Sequence, residues 1–418
     1  MMAGRRSFVA LAIVLFMVAL TTALLLLALL RHEQEDGRRA LVATTVDPAT
    51  LPATLPFTWA WHHVIVDAWL EDAEESLGFM FDTGAPMIYA DGVAASYGSE
   101  SAGWVTTVAI DGTLEESPVV AVDELVLGQA RFHDVGGIVG WVEPDNPLAC
   151  VTRNGVVGAS LMRDAIWRID YAGQEISVYD STDGLDLDNA IALPFDADSG
   201  VPSSPIVRLP VEGGELSFLL DTGSDAGLVV NPADLSSVGV ELADDAPAIA
   251  LTAAGAAGTF QSAVRFVDVA IAAEGIDRRP RYPLAATDTI AAGVGNMGNT
   301  FLREFVVTID WPGRMVYLEP VASVGSIARP SEPLSATVMW QDGRLVVGSI
   351  VLGGPAEEDG LELGAVIVTI DGQPAEAPTF EAFCDLLMSE GARSTSGSVL
   401  ATADGEHHTV EVMSGFYD

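Results

Sequence analysis

Two copies of the tripeptide Asp-Thr-Gly stand out in the sequence, because each follows a short apolar run of the kind that forms a buried β-strand. The first copy is Asp82-Thr83-Gly84 and the second is Asp221-Thr222-Gly223. One such tripeptide is a common turn and carries little information by itself. Two carboxyl groups about 3 Å apart, however, cannot both ionise, so they hold one proton between them. Such a pair can take a proton from water and give one to a carbonyl oxygen, which is the chemistry of peptide-bond hydrolysis.

The repeat extends well beyond the two tripeptides. Residues 77–85 match residues 216–224, and residues 158–163 match residues 298–303 at almost the same offset. Because the matching segments keep their order and spacing, we expect two lobes of similar structure. A two-fold relation between the lobes would bring the two aspartates together at its axis.

The residues beside the aspartates have roles of their own in this prediction. We expect the hydroxyls of Thr83 and Thr222 to reach across the interface between the lobes. Gly84 and Gly223 have no Cβ, so backbone amides can approach the carboxylates closely.

The two copies differ at the following position, where Ala85 stands in the first and Ser224 in the second. A serine can donate a hydrogen bond to the carboxylate of its own lobe and favour the charged form, whereas an alanine cannot. We therefore expect Asp221 to carry more of the negative charge and Asp82 more of the shared proton, in a pair that titrates as a unit.

The elements that must position these residues are β-strands. Short runs rich in β-branched and aromatic residues alternate with Gly, Asp and Pro throughout both copies. We expect a mainly β protein with an N-terminal segment, two lobes and a C-terminal domain, at residues 1–50, 51–182, 190–320 and 333–418.

On these motifs the chain resembles the aspartic proteases, in the single-chain, two-lobed, pepsin-like form with local sequence closer to bacterial retropepsin-like modules. The resemblance is carried by the two Asp-Thr-Gly copies and by the segments Val156-Val157-Gly158 and Asn296-Met297-Gly298. It implies a bilobal pepsin-like double β-barrel, Asp82 and Asp221 as catalytic residues, and glycine segments that brace the catalytic loops from behind. Asn296 departs from the apolar residue usual at its position. No metal or other cofactor is implied.

Pepsin-like enzymes also close over the substrate with a hairpin flap that carries a tyrosine. The corresponding hairpin here, around Asp111-Gly112, has no tyrosine, although Trp104 is adjacent. Trp104 is either a substrate contact or a half-buried strand residue. The matching stretch of the second lobe contains Gly255 and Gly258 and could form a second flap, so the sequence leaves open which lobe closes the cleft.

The C-terminal residues 343–372 resemble a bacterial PDZ domain. The resemblance implies a groove between a strand and a helix, where a peptide adds as an extra strand. Phe380, Phe383, Cys384 and Leu387 fall on one face of the expected helix. A PDZ-shaped spacer that only packs on the lobes is the alternative.

Residues 7–30 contain no charged side chain and are long enough, as a helix, to cross a hydrocarbon layer of about 30 Å. We expect a retained single-pass membrane anchor, with the body of the protein outside the cytoplasm, in the periplasm or at the cell surface.

The composition excludes some partners. The chain has 59 acidic residues against 19 Lys+Arg and a formal net charge of -40, which would repel nucleic acid and anionic lipid. Cys150 and Cys384 lie far apart and are expected to be free thiols or buried apolar groups. The adjacent pairs His62-His63 and His407-His408 are expected to lie on half-buried strands, where neighbours point to opposite faces and chelate a metal poorly.

Together these features predict a membrane-tethered aspartic endopeptidase that acts on peptides or unfolded proteins. One alternative is a non-catalytic peptide-binding receptor with a degenerate protease fold. Another is a self-processing enzyme that releases its own body by cleavage within residues 31–52.

Overall fold

The structure is a computed structural model of the chain. It describes residues 31–99, 101–108, 114–140, 146–196, 204–255, 258–272, 281–321, 330–341, 343–375, 379–388 and 396–417. The protein is mainly β, with 48% strand and 15% helix, as the sequence predicts. Within the described residues no helix is both long and apolar enough to cross a membrane. The predicted anchor, residues 7–30, lies outside them.

The first repeat of the structure follows a helical segment, α1 (31–41). Its strands are β1 (Thr45–Val46), β2 (Ala53–Ala60), β3 (His63–Leu70), β4 (Leu77–Asp82), β5 (Ile88–Tyr89), β6 (Gly103–Val108), β7 (Leu114–Leu127), β8 (Ala130–Val139), β9 (Gly155–Gly158), β10 (Ile166–Asp170) and β11 (Glu175–Tyr179). Its short helices are α2 (Asp91–Tyr97), α3 (Leu148–Val151) and α4 (Ala159–Met162).

Apart from β1 and α3, the second repeat has the same kinds of element in the same order. Its strands are β12 (Ile191–Asp196), β13 (Ile206–Val211), β14 (Gly214–Leu220), β15 (Leu228–Val230), β16 (Ala248–Gly255), β17 (Gly258–Ala270), β18 (Arg281–Ala286), β19 (Gly295–Met297), β20 (Phe305–Asp310) and β21 (Met315–Pro320). Its helices are α5 (Pro232–Ser237) and α6 (Asn299–Leu302).

The C-terminal module is formed by the remaining elements. They are β22 (Ala336–Gln341), β23 (Arg344–Val351), α7 (Pro355–Glu358), β24 (Ile367–Ile370), β25 (Gln373–Pro374), α8 (Phe380–Met388), β26 (Val399–Thr402) and β27 (His407–Thr409).

The two repeats use the same strand pairings to position their Asp-Thr-Gly turns. In the first, β4 pairs in parallel with β9, which sets Asp82 opposite Gly158. In the second, β14 pairs in parallel with β19, and the last pair of that ladder is Leu220 with Met297. Each turn therefore begins where a strand ends beside its parallel partner strand, at Gly158 in the first repeat and just before Gly298 in the second.

A shared sheet joins the repeats and fixes their symmetry. Its six strands run in the order β2, β11, β10, β20, β21, β12. The central strands β10 and β20 are antiparallel, and Arg168 pairs with Thr308, its own counterpart in the repeat. The guanidinium of Arg168 donates to the Thr308 hydroxyl at 3.0 Å. A residue that pairs with its own counterpart lies on a local two-fold axis, so the repeats are related by one.

Buried aromatic side chains hold the strand that leads into the first turn. Trp167 is fully buried, with its ring stacked on Phe132 at 5.8 Å and tilted against Phe81 at 5.5 Å. Because successive side chains of a strand point to opposite faces, the inward packing of Phe81 directs its neighbour Asp82 to the other face, toward the second repeat.

The C-terminal module is attached to both repeats. Strand β23 pairs antiparallel with β16 of the second repeat, from Ile249 opposite Val351 to Leu251 opposite Ser349. A disulfide joins Cys150, at the end of α3, to Cys384 in α8. The expectation of free or isolated cysteines is therefore wrong. It failed because residues separated by 234 positions in sequence are brought together only by the docking of the module.

Candidate active site

The structure brings the two aspartates together at the boundary between the repeats. The carboxyl groups of Asp82 and Asp221 lie in hydrogen-bonding contact. A Cβ placed on Gly84 would lie 2.6 Å from the carboxyl carbon of Asp221, and one on Gly223 would lie 2.2 Å from a carboxyl oxygen of Asp82. Each carboxyl group thus packs over the glycine of the other repeat, where only glycine leaves the space.

Thr83 and Thr222 join the two turns by hydrogen bonds, and both side chains are fully buried. The Thr83 amide donates to the Thr222 hydroxyl at 3.0 Å, and the Thr222 amide donates to the Thr83 hydroxyl at 3.1 Å. Each hydroxyl in turn donates to a carbonyl of the opposite repeat, that of Leu220 at 2.6 Å and that of Phe81 at 2.9 Å. The predicted reach of the hydroxyls across the interface is therefore present.

Gly158 and Gly298 lie behind the two turns, as the resemblance implied. A Cβ on Gly158 would lie 2.1 Å from the carbonyl oxygen of Pro86, and one on Gly298 would lie 2.5 Å from that of Ala226. The residue after each glycine donates its amide to the turn, Ala159 to the carbonyl of Ala85 and Asn299 to that of Ser224, both at 2.8 Å. The turns are therefore held by backbone contacts that a side chain would disrupt.

The two carboxyl groups accept hydrogen bonds from different kinds of donor. Asp82 accepts the backbone amides of Gly84, at 2.7 Å, and Ala85. Asp221 accepts the backbone amide of Gly223 at 3.0 Å and the side-chain amide of Asn296 at 2.5 Å. Only Asp221 receives a side-chain amide in the described part of the chain.

The surroundings of the two carboxyl groups shift their pKa values differently. Burial raises the pKa of Asp82 well above its usual range, and the Asp221 carboxylate beside it raises the pKa further. Burial also raises the pKa of Asp221, but hydrogen bonds from Asn296 and Asp82 act in the opposite direction. Asp82 is 9% exposed and Asp221 is partly exposed, so water can reach the pair. The shared proton therefore favours Asp82 and the negative charge favours Asp221.

The pKa shifts favour the predicted direction of this asymmetry, but its predicted cause is wrong. The hydroxyl of Ser224 accepts the backbone amide of Ala226 at 3.2 Å, and the side chain that donates to Asp221 is Asn296. The sequence marks Asn296 only as a polar residue at a position where the family has an apolar one.

Two functional candidates were missed from the sequence. His63 is 4% exposed and lies beside the backbone of Gly223, and its Nδ1 is buried without a hydrogen-bond partner. Burial lowers its pKa, while the charges of Asp225 and Asp221 oppose that shift. His62, by contrast, lies in the turn before β3 rather than on a strand, with φ of 66°.

The second missed residue is Asn299, which is 1% exposed and stands where the first repeat has Ala159. Its side-chain amide donates to the carbonyls of Thr222 at 2.7 Å and His62 at 3.1 Å. Its oxygen accepts the hydroxyl of Tyr171 at 3.1 Å. Its polarity at a helix start was the only available signal.

Each candidate flap is a hairpin that contacts another part of the chain, α1 in the first repeat and the C-terminal module in the second. Trp104 lies half-buried in β6, which pairs with β7, while Asp111 and Gly112 lie outside the described residues. A Cβ on Gly37 of α1 would lie 2.5 Å from the carbonyl oxygen of Trp104. In the second repeat, Gly255 pairs with Gly258 near the end of the β16–β17 hairpin, and β16 is the strand bound by the C-terminal module.

One edge of β23 is already paired within the chain. Val347 exchanges backbone hydrogen bonds of 2.9 Å with Gly364 and Ala365. Further along, residues 349–351 pair with β16. On the helix side, Phe380 packs against Leu148 and Ala149 of α3.

In the portion of the chain that the structure describes, no cluster of His, Cys, Asp or Glu side chains could hold a metal ion. His407 and His408 lie on β27, the first exposed and the second buried.

The chain matches no protein-family model and no curated protein.

Proposed function

We propose that this protein is an aspartic endopeptidase in which Asp82 and Asp221 share one proton and activate a water molecule. The observation that carries the proposal is the contact between the two carboxyl groups across a local two-fold axis, each packed over the glycine of the other repeat. The proposed fold is the bilobal pepsin-like double β-barrel, followed by a PDZ-like module.

The geometry supports a mechanism without a covalent intermediate. Asp221, as the carboxylate, takes a proton from water while the water oxygen bonds to the scissile carbonyl carbon. Asp82 gives its proton to the carbonyl oxygen, and the result is a tetrahedral diol. The C–N bond then breaks as a proton passes from the dyad to the leaving nitrogen, and a hydroxyl proton of the diol returns to the dyad. The two products are a carboxylic acid and an amine.

The proposed substrate is an extended peptide or an unfolded protein. The resemblance places two hairpins over the dyad, β6–β7 and β16–β17, and each presents strands beside which an extended chain could lie. The net charge of -40 is unfavourable for nucleic acid.

We also propose that the body acts outside the cytoplasm, tethered through residues 7–30. The disulfide between Cys150 and Cys384 supports this placement, because disulfides persist in oxidising compartments. A docking role of the PDZ-like module for a substrate or partner peptide remains a prediction. The pairing of β23 with β16 and the disulfide between Cys150 and Cys384 favour the alternative, a module that packs on the repeats.

The test is cleavage of a denatured protein between about pH 3 and pH 6 by the detergent-solubilised full chain. New peptide termini would be identified by mass spectrometry. We expect cleavage by the wild type, inhibition by a statine-type compound, and no cleavage by Asp82→Asn or Asp221→Asn. Equal behaviour of the wild type and both variants would favour the receptor alternative. Cleavage confined to residues 31–52 would favour the self-processing enzyme.

A further inference from the structure

Asn296 is the one residue of the glycine-ended segments that contacts the dyad through its side chain in the described part of the chain. It lies in β19, where it pairs with Leu219 of the parallel strand β14. Side chains two residues apart on a strand share a face, so Leu219 and Asp221 point the same way, and Asn296 lies beside both. Its side-chain amide donates to Asp221 Oδ2 at 2.5 Å.

The burial of Asn296 is costly for the fold. The residue is 3% exposed, and its side-chain oxygen is buried without a hydrogen-bond partner. An unsatisfied buried acceptor is unfavourable compared with an apolar side chain. The first repeat has Val156 at the same position, fully buried in an apolar cluster. Since packing alone would favour valine in both repeats, the amide is explained by its contact with Asp221.

We propose that Asn296 is a positioning residue that holds the negative charge of the free enzyme on Asp221 and leaves the shared proton on Asp82. This inference rests on the proposed function, because it assigns the base and the acid of that reaction. It also gives the two halves of a symmetric site distinct roles.

The charged and titratable groups that face Asp221 are Asp82 and His63, and His63 also faces Asp225. A protonated His63 would favour the charged form of Asp221 as well, so its contribution must be separated from that of Asn296. The opposite orientation of the Asn296 amide would place its oxygen against Asp221 and would require a proton there. The two orientations therefore predict opposite effects of removing the side chain.

The test replaces Asn296 with the residue of the other repeat. In Asn296→Val the charged form of Asp221 loses a hydrogen-bond donor, so Asp221 binds a proton more tightly. The acidic limb of the pH profile of kcat/KM should move to higher pH by about one unit, with a smaller move of the alkaline limb. At a fixed pH on the acidic limb, kcat/KM relative to its maximum should therefore fall about tenfold.

The matched variant is Val156→Asn combined with Asn296→Val, which moves the amide to the side of Asp82. We expect it to return the acidic limb toward that of the wild type. The shift caused by Asn296→Val should be the same in a His63→Gln background. An unchanged limb, a shift to lower pH, or a shift that disappears without His63 would overturn the proposal.

A measurement on the wild type does not depend on whether Asn296→Val folds. Carboxyl carbons of aspartate-labelled protein would be followed by NMR, with Asp82→Asn and Asp221→Asn used for assignment. At about pH 5 we expect an ionised signal for Asp221 and a protonated one for Asp82. The reverse pattern would overturn the inference even in an active enzyme. Absence of cleavage would count against the proposed function, while the NMR result would still show which aspartate holds the negative charge.

Discussion

Thr83 and Thr222 each donate a backbone amide to the hydroxyl of the other, across the boundary between the two repeats. Their hydroxyls then donate to Leu220 and Phe81, the residues immediately before the opposite aspartates. The separation of the two turns is thereby fixed by hydrogen bonds between main-chain groups and the buried threonine hydroxyls. The symmetric sheet centred on Arg168 and Thr308 provides the same alignment at a larger scale.

Replacing Thr83 or Thr222 with valine should destabilise the protein. Valine keeps the shape but removes a donor and an acceptor, so a buried amide and a buried carbonyl are left unpaired. We expect a loss of about 1–3 kcal/mol for each variant in urea unfolding. Serine at either position keeps the hydroxyl and should retain most of the stability. Valine variants as stable as the serine variants would show that the hydrogen bonds are not needed to join the repeats.

Adding a methyl group at Gly84 or Gly223 should impair catalysis more than folding. The new Cβ would lie 2.6 Å from the Asp221 carboxyl carbon or 2.2 Å from an Asp82 oxygen, so the carboxyl groups must move apart. We expect kcat/KM to fall at least about 100-fold in either alanine variant, because a displacement of about 1 Å misaligns the acid and base. Gly92→Ala is the control, since a Cβ there meets nothing within 4 Å. Comparable activity in all three variants would contradict the close packing of the dyad.

The dyad should reduce stability at neutral pH. Burial raises the pKa of Asp82, so above the ordinary value of about 3.9 the folded chain holds a proton that the unfolded chain has released. Stability therefore falls as the pH rises from there through the higher folded-state value. Asp82→Asn should raise the Tm at pH 7 by about 2–4 °C, with the difference vanishing below about pH 4.

The control for this measurement is Asp72→Asn, a change at an exposed turn residue with positive φ, a conformation that asparagine tolerates. It removes the same formal charge away from the dyad. A gain in Tm of the same size and pH dependence in Asp72→Asn would attribute the effect to net charge. An unchanged or lower Tm of Asp82→Asn at pH 7 would contradict the buried, proton-sharing pair.

Removing the disulfide should loosen the attachment of the C-terminal module. The Cys150→Ala, Cys384→Ala double variant loses a cross-link that spans 234 residues of sequence. We expect a loss of about 2–4 kcal/mol and faster amide hydrogen exchange in β16 and β23. Thiol reduction of the wild type should reproduce the exchange pattern, whereas a single cysteine variant under reducing conditions should add little. Unchanged exchange in β16 and β23 would show that strand pairing alone holds the module.

The meeting of Asp82 and Asp221 could be predicted because a repeated sequence implies a repeated structure, and equivalent positions meet at a two-fold axis. The crossing of the Thr83 and Thr222 hydroxyls follows from the same symmetry. These predictions needed only residue types and their spacing.

Contacts that depend on register or on docking could not be predicted. The reach of Asn296 to Asp221 requires the parallel register of β14 and β19, which no local pattern specifies. Ser224 was the wrong donor because its hydroxyl lies against the backbone amide of Ala226, whereas the side chain of Asn296 donates to Asp221. The pairing of Cys150 with Cys384 depends on how the module docks, which the sequence does not show.

Neutron diffraction from deuterium-exchanged crystals at about pH 5 would count the protons on the dyad directly. We expect one deuteron between Asp82 and Asp221, bonded to an oxygen of Asp82, with the carboxyl groups in hydrogen-bonding contact. Two deuterons, none, or carboxyl groups turned away from each other would contradict it.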